Sequence, residues 1–227
     1  MRADELAFSE AKKIYTNSKI VSKRLKDFNG VDSEVVYPPL LNPDQFYCSG
    51  YGDYIYYSSR ICRTKRQLLA VEAMKYTKTD VRLIISGRIE QLSLKNEIYS
   101  IIRKNNLEKK VVIDDRWISE KEKADYFAGC LCGLYIPFDE DSYGYTSLES
   151  HHSQKGVITC TDSGGTGELI IDGYNGLIVP PDPRELARQF DMLYEDRTLA
   201  ENLGINGKKR IGDLQINWYN VIRRFTE

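Results

Sequence analysis

Short runs of apolar residues alternate with longer amphipathic stretches over most of this chain. The runs are rich in Val, Ile, Leu and Tyr, and they are too short for buried helices. Apolar runs of this length are typical of buried strands. The predicted strands cover residues 54–57, 81–86, 111–113, 131–137, 157–160 and 177–179.

Amphipathic stretches separate these runs and predict helices. Ser119 is placed to cap one helix, and Pro183 stands at the first position of another. The predicted helices cover residues 66–76, 93–105, 120–128, 145–154, 182–194 and 214–225. Strands that alternate with helices in this way form a parallel sheet with helices on both faces. The predicted fold class is therefore α/β, and ligands of such sheets bind beyond the carboxyl ends of the strands.

The first 41 residues have a different organisation. They predict helices over residues 3–12 and 19–28, the second capped by Ser18 and stopped by Gly30. They also predict short strands over residues 14–17 and 35–37. A polar, turn-rich connection over residues 42–52 follows. The predicted units are therefore residues 1–41 and residues 42–227.

Composition excludes several classes of function. The 227 residues carry a net charge of -1, which gives no electrostatic basis for binding nucleic acid or an anionic membrane. No apolar run is long enough to span a bilayer, and the polar, acidic N-terminus does not resemble a signal peptide. The five cysteines lack CxxC spacing, so we expect free thiols in a reducing cytosol.

The segment Asp141-Ser-Tyr-Gly-Tyr-Thr-Ser-Leu-Glu149 is the strongest candidate for chemistry. It joins the apolar run before residue 139 to a predicted helix. The first turn of that helix, with Gly144, Tyr145 and Thr146, offers free N–H groups and a positive dipole end that suit a phosphate. Asp141 precedes the helix and Glu149 lies within it. Their carboxylates are expected to accept hydrogen bonds from the hydroxyls of a sugar nucleotide.

Other loops that follow predicted strands supply further candidates. Arg60 and Lys65, after Ser59, could neutralise a diphosphate, although Arg63 and Arg66 beside them leave an ordinary basic loop as an alternative. Ser163 is followed by two glycines, Gly164 and Gly165. These glycines could allow a close backbone approach to a ligand, or form a plain turn. Trp117 and Ile118 could meet a nucleobase or pack in the core. Glu168 could contact the same ligand or cap the helix that follows it.

Several familiar motifs are absent from the sequence. It has no GxGxxG, GxxxxGK[ST] or GxSxG, which disfavours a dinucleotide dehydrogenase, a P-loop ATPase and an α/β-hydrolase. The two histidines, His151 and His152, are more typical of packing than of catalysis. Cys130 and Cys132 precede a buried strand and predict core thiols. We expect no metal site and no cofactor.

The motifs together resemble the retaining glycosyltransferases of family 4, which have the GT-B fold. Acid-x7-acid occurs here as Asp141 to Glu149, and Ser59-Arg60-Ile-Cys-Arg-Thr-Lys65 resembles the Gly-Arg-Leu-x-x-x-Lys loop of the family, with serine in place of glycine. Three more segments follow the order of the family: Leu83-Ile-Ile-Ser-Gly87, Asp162-Ser-Gly-Gly165 with Glu168, and Gly173-Tyr-Asn-Gly-Leu-Ile-Val179.

This resemblance implies the C-terminal, donor-binding half of such an enzyme, a Rossmann-like domain. Residues 1–41 resemble the end of the N-terminal half, which binds the acceptor. Either the sequence is one part of a longer protein or the protein is naturally short, and the sequence leaves both open. The absent half would bind a sugar or lipid-linked acceptor, and it could place a cytoplasmic enzyme at a membrane surface.

The family also implies a role for each motif residue. Arg60 and Lys65 neutralise the diphosphate of a UDP- or GDP-linked donor, N–H groups from Gly144 to Thr146 bind phosphate, and Glu149 holds the ribose. Asp141, or else Glu140 or Asp139 beside it, contacts the transferred sugar. Two other functions remain open: a non-catalytic sugar-nucleotide-binding subunit of a split transferase, and an unrelated flavodoxin-like binding domain.

Overall fold

The computed structural model describes the backbone of residues 3–227 and the side chains from residue 5. Its strands are β1 (Tyr15–Thr16), β2 (Glu34–Val35), β3 (Tyr54–Ser58), β4 (Arg82–Ser86), β5 (Val111–Asp114), β6 (Cys132–Leu134), β7 (Val157–Cys160) and β8 (Gly176–Val179). Its helices are α1 (Ala3–Glu10), α2 (Lys19–Asn29), α3 (Gln67–Ala73), α4 (Leu92–Lys104), α5 (Glu120–Gly129), α6 (Tyr145–His152), α7 (Thr166–Leu169), α8 (Pro183–Glu195), α9 (Arg197–Asp213) and α10 (Trp218–Thr226), with short 3-10 turns at Pro43–Gln45 and Arg63–Lys65.

Six parallel strands form the central sheet, in the order β5-β4-β3-β6-β7-β8. Along the chain, β4 and β5 are added on one side of β3, and β6, β7 and β8 are then added on its other side. The strand order therefore reverses between β3 and β6, where the loops after the two strands diverge and leave a crevice at the carboxyl edge. The α/β fold class predicted from the alternating pattern is confirmed.

Local signals account for most element boundaries. Ser18 Oγ accepts a hydrogen bond from Val21 N at 3.0 Å, and Gly30 ends α2 with φ of 69°. Ser119 and Glu122 form a reciprocal capping box at the start of α5. Strand β6 is shorter than predicted, because pairing stops before Pro137, which has no backbone N–H.

The largest difference between prediction and structure lies near the C-terminus. No helix was predicted between residues 195 and 213, yet α9 fills this stretch, and Asp196 Oδ1 caps it by accepting from Leu199 N at 2.8 Å. Gly204 and Gly207 weaken its helical pattern, but a Cβ at either position would overlap the Gln154 carbonyl or the His151 ring. The last helix begins after Asn217 rather than at residue 214, since residue 214 caps the end of α9.

The N-terminal segment forms a second, separate sheet. Strands β1 and β2 pair in parallel over two residues each. Helix α10 returns to this sheet, where the rings of Tyr15 and Phe225 lie 4.4 Å apart and Trp218 Nε1 donates to Leu40 O at 2.9 Å. The division at residues 41 and 42 stays a prediction. Within residues 3–227, no helix has the length and apolar character needed to cross a membrane.

Candidate functional site

The loop after β3 enters the crevice at the point where the strand order reverses. Ser59 N donates to Ser86 O at 3.1 Å, and its carbonyl lies where a Cβ on Gly87 would be, so the glycine is needed for this close approach. The Arg60 side chain is 71% exposed and pairs with Glu90 at 2.8 Å. The Lys65 side chain is only 12% exposed and donates to Tyr135 Oη at 2.8 Å while it pairs with Glu140.

The loop after β6 carries the first acid of the motif. Asp141 forms an ion pair with Arg24 of α2, and the same guanidinium binds Asp139 at 2.6 Å. Ser18 Oγ donates to the Asp141 carbonyl, which ties the loop to the start of α2. The Asp141 carboxylate remains 62% exposed, so a ligand in the crevice can reach it. Asp139 and Asp141 therefore share Arg24, whereas Glu140 between them pairs with Lys65.

The first turn of α6 offers unpaired backbone donors. Ser147 N and Leu148 N donate to Gly144 O, whereas the N–H groups of Tyr145 and Thr146 have no acceptor among the residues that the structure describes. Thr146 Oγ1 donates to Ser58 O at 2.6 Å and so fixes this turn beside the end of β3. Two free N–H groups and the positive end of a helix are suited to an anion.

Glu149 lies at the buried side of the same helix. Its side chain is 8% exposed, and Oε1 lies 2.7 Å from Lys123 Nζ of α5. Burial raises the pKa of Glu149, while Lys123 acts in the opposite direction. Burial also disfavours the charged form of Lys123, but the carboxylates of Glu149 and Glu120 outweigh it and raise the pKa of the ammonium group.

The segment from Ser163 to Gly165 packs against the loop after β6. Gly165 N donates to Glu140 O at 2.7 Å, and a Cβ on Gly165 would lie 2.8 Å from the Ser142 carbonyl carbon. Gly164 has φ of 62°, and a Cβ there would overlap the Glu140 backbone. Ser163 is buried, and its Oγ accepts from Cys160 N at 3.3 Å. The two glycines thus hold the acidic loop in position.

Glu168 caps a helix, but a different one from the helix that the sequence suggested. Its carboxylate accepts from Lys19 N at 2.9 Å and from Ile20 N at 3.0 Å, both at the start of α2. Tyr37 Oη donates to it as well, at 2.8 Å. The expectation that Glu168 caps the helix following it is therefore wrong, because Glu168 lies within the short helix α7 and its carboxylate binds the start of α2 instead.

Trp117 and Ile118 lie in the loop between β5 and α5. The Trp117 side chain is 88% exposed, which excludes core packing, and Ile118 is half-buried. Contact with a nucleobase stays a prediction for both residues.

The histidines and cysteines have structural environments. His151 is fully buried, with Nδ1 3.0 Å from Lys155 O and Nε2 3.2 Å from Asn175 Nδ2, and burial lowers its pKa to about 4. Cys130 and Cys132 are buried, and no disulfide joins the cysteines of the described chain. Among residues 5–227, no cluster of His, Cys, Asp and Glu side chains could hold a metal ion.

Arg66 is the structurally important cation that sequence reasoning did not single out. Its guanidinium binds both oxygens of Asp162 at 2.8 Å, and it donates to the carbonyls of Ile136 and Pro137. The bound guanidinium lowers the pKa of Asp162. One side chain therefore joins the loops after β3, β6 and β7. Its only signal in the sequence is that it follows Lys65.

A cavity of about 740 Å³ lies away from this site. It is lined by residues of α8 and of the turn before β4, among them Tyr76, Lys78 and Arg184. That position is at the amino ends of the strands. Because the predicted site residues converge on the opposite edge, this cavity is not a part of the site.

Comparison with known proteins identifies the family. The model of the family "Glycosyl transferases group 1" matches residues 50–210. The chain is 26% identical over 215 residues to the human alpha-1,3/1,6-mannosyltransferase ALG2, and the match covers 85% of the chain and 51% of that protein. It is 27% identical over 215 residues to an uncharacterized glycosyltransferase of Methanocaldococcus jannaschii, with 89% of the chain and 55% of that protein covered. The chain thus spans about half the length of these curated relatives.

Solved structures show the same fold. Sucrose-phosphate synthase from Thermosynechococcus elongatus matches 98% of the chain with a TM-score of 0.83 and 21% identity, over 59% of its own length. Anabaena HepE in complex with UDP and glucose matches 98% of the chain with a TM-score of 0.84 and 19% identity, over 65% of its own length. Identities this low support a shared fold and leave the ligand and the reaction to be inferred from the site.

Proposed function

The chain belongs to the group 1 glycosyl transferases, and from this premise we propose that it is the donor-binding half of a retaining transferase. Its substrate would be a UDP- or GDP-linked sugar, bound at the crevice between β3 and β6. The sugar would pass to a hydroxyl of a sugar or lipid-linked acceptor. The acceptor oxygen would bond to C1 on the face that the diphosphate leaves, which retains the configuration.

The observation that carries this proposal is the first turn of α6. The free N–H groups of Tyr145 and Thr146 lie at the end of β3, since Thr146 Oγ1 is bonded to Ser58 O at 2.6 Å. The loop that continues from Ser58 carries Arg60 and Lys65. Backbone donors and two cations therefore converge on one crevice, as a departing diphosphate requires for stabilisation of its developing charge.

The remaining motif residues fit the two ends of the donor. Asp141, exposed at the mouth of the crevice, would contact the transferred hexose. Glu149, further along α6, would accept hydrogen bonds from the ribose. Trp117 and Ile118 would contact the nucleobase. Arg60 and Lys65 pair with Glu90 and Glu140, so a bound diphosphate would compete with these carboxylates.

An acceptor-binding half would complete the enzyme, and the segment 1–41 is the place where we propose that it docks. The sheet of this segment has only two parallel strands of two residues each. A sheet of this size is not stable without other elements packed against it. Helix α10, which packs beside them, exposes Tyr219, Ile222 and Phe225 by 78%, 59% and 60%. The relatives that match this chain are about twice as long, which leaves room for a second half.

Isothermal titration calorimetry of the purified chain tests donor binding directly. The ligands are UDP, GDP and ADP, each alone and as its glucose ester, with GDP-mannose added because a matched relative is a mannosyltransferase. We expect one diphosphate to bind and its sugar ester to bind more tightly. A chelator should leave the affinity unchanged, since no metal takes part. Absence of binding to every one of these ligands would overturn the proposal.

A further inference from the structure

The ion pair between Lys123 and Glu149 is one of the least exposed in the described part of the chain. The two side chains are 17% and 8% exposed, and they join α5 to α6 at 2.7 Å. Lys123 also holds Glu120, one turn earlier on its own helix, at 2.9 Å. Neither Lys123 nor Glu120 belongs to a motif that the sequence singled out. Lys123, a cation outside the motif, therefore affects the ionisation of Glu149, the second acid of the motif.

A buried carboxylate keeps its charge only if a partner compensates for the water it has lost. Among residues 5–227, no second cation lies at a comparable distance from Glu149. Glu120 of α5 adds negative charge, and the fully buried Tyr56 of β3 is neutral. Lys208 and Arg210 of α9, and Asp44 of the turn at Pro43–Gln45, act on His152 and His151 at the far end of α6. Lys123 is thus the main compensating charge.

The charge on Glu149 matters because of what a ribose offers. The two hydroxyls of a ribose diol are donors, and an ionised carboxylate has two oxygens that accept. Lys123 pairs with Oε1 of Glu149, whereas Oε2 of Glu149 has no hydrogen-bond or ion-pair partner among residues 5–227. A protonated Glu149 would instead carry a donor of its own and would lose part of its capacity to accept. Bound in this way, the carboxylate is fixed in orientation and has one oxygen free for a ligand.

We propose that Lys123 is a positioning residue for nucleotide binding, which keeps Glu149 ionised and turned toward the ribose diol of the donor. This inference rests on the proposed function, because it assumes that Glu149 meets a ribose. It goes beyond it by assigning a role to a residue of α5 that contributes no contact of its own to the nucleotide. Its consequence is that ribose recognition depends on pH in a protein that lacks the ammonium group.

The direction of this dependence follows from linkage. Without Lys123, the pKa of Glu149 rises further, because burial then acts without its main opponent. The carboxylate accepts ribose hydroxyls only above this pKa. As the pH is lowered, the affinity of Lys123→Met for a ribonucleotide should therefore begin to fall at a higher pH than that of the natural protein. The affinity should recover as the pH rises. His151 and His152, with pKa values of about 4, stay neutral in this range.

The test compares Lys123→Met, Lys123→Arg and Lys121→Met by titration with UDP, or with GDP if only GDP binds the natural chain, from about pH 6 to about pH 9. Lys121 lies on the same helix, is 83% exposed and pairs with Asp125, so it controls for loss of a lysine. We expect Lys123→Met to bind about tenfold more weakly at neutral pH and to approach the natural affinity at high pH. Lys123→Arg should restore most of the binding, and Lys121→Met should change little.

Two further measurements separate positioning from a structural role. The 2′,3′-dideoxy form of the same diphosphate lacks the diol, so the ratio of its affinities for Lys123→Met and for the natural chain should not vary with pH. The carboxyl carbon of Glu149, followed by NMR without ligand, should titrate at a higher pH in this variant. An unchanged Glu149 titration, or an equal loss of affinity at every pH, would overturn the inference while leaving donor binding intact. Failure of the natural chain to bind any diphosphate would instead overturn the proposed function, on which the inference rests.

Discussion

At the scale of single residues, Arg60 and Lys65 differ in how strongly their charges are bound to neighbours. Arg60 is mostly exposed beside Glu90, and Lys65 is mostly buried between Tyr135 and Glu140. We expect Arg60→Ala and Lys65→Ala each to weaken nucleoside-diphosphate binding about tenfold to a hundredfold. The reason is that loss of one charge-assisted contact costs about 1.5–3 kcal/mol. Calorimetric titration of each variant measures this effect.

Arg63 is the matched control for these two variants. It lies in the same loop, is 56% exposed and pairs with Glu97 at 3.0 Å. Arg63→Ala should therefore change the affinity much less than either motif variant. Equal losses at all three positions would mean that a diffuse basic patch, and not a defined pair of cations, binds the phosphates.

The two acids of the motif should report on different parts of the donor. We expect Glu149→Gln to weaken binding of the bare diphosphate, because an amide accepts ribose hydroxyls less well than a carboxylate. Asp141→Asn should leave that binding nearly unchanged and reduce only the additional affinity of the full sugar nucleotide. Titration of both variants with both ligands measures the difference. Equal losses for the bare diphosphate would contradict these assignments, and a much lower melting temperature would make the acid in question structural.

The sequence predicted these charged residues but not their partners. Arg60, Lys65, Asp141 and Glu149 stand in short motifs that can be recognised locally. The partners of Arg60, Asp141 and Glu149 are Glu90, Arg24 and Lys123, which lie elsewhere in the chain and have no motif of their own. Such pairing depends on how the helices pack around the sheet, so a pattern read along the chain does not contain it. The same reason explains why Glu168 was assigned to the wrong helix.

At the scale of elements, the start of α6 depends on one glycine. Gly144 has φ of 74° and ψ of 130°, a conformation that is essentially restricted to glycine, and a Cβ there would enter the ring of Tyr135. We expect Gly144→Ala to destabilise the protein by at least about 1–3 kcal/mol from backbone strain alone. The melting temperature should fall by several degrees, and diphosphate affinity should fall with it, since the free N–H groups of α6 follow directly.

Gly167 provides the control for this substitution. It lies in α7 with φ in the usual negative range, and a Cβ there would meet no atom within 4 Å. Gly167→Ala should leave both the melting temperature and the affinity almost unchanged. If the two alanine variants melted alike, the special backbone of residue 144 would have no part in holding the site.

Element prediction succeeded where local chemistry is explicit. Ser18, Ser119 and Asp182 each cap a predicted helix, and the apolar runs correspond to the strands of the central sheet. It failed for α9, whose glycines are required by contacts with Gln154 and His151 of another part of the chain. In a sequence pattern, a glycine predicts an interruption of a helix. Only the packed structure shows that it is there to allow close approach, although Asp196 was a usable signal for the start of the helix.

At the scale of the whole molecule, the order of strands brings the site together. The loops after β3 and β6 are far apart in sequence but adjacent in space, because β6 pairs with β3 and reverses the strand order. Everything proposed for the donor lies on this one edge, within the part of the chain that the family covers.

We therefore expect the isolated chain to fold and to bind its donor, but to transfer sugar poorly or not at all. A transferase of this kind needs an acceptor held against C1 of the donor. The surface that would receive a second half, around Tyr219 and Phe225, remains open to solvent. Transfer from the bound donor to simple sugar and lipid-like acceptors, followed by product chromatography, measures the residual activity. Efficient transfer by this chain alone would contradict the proposal that a second half is needed, whereas donor binding without transfer even beside an acceptor half would identify a non-catalytic subunit.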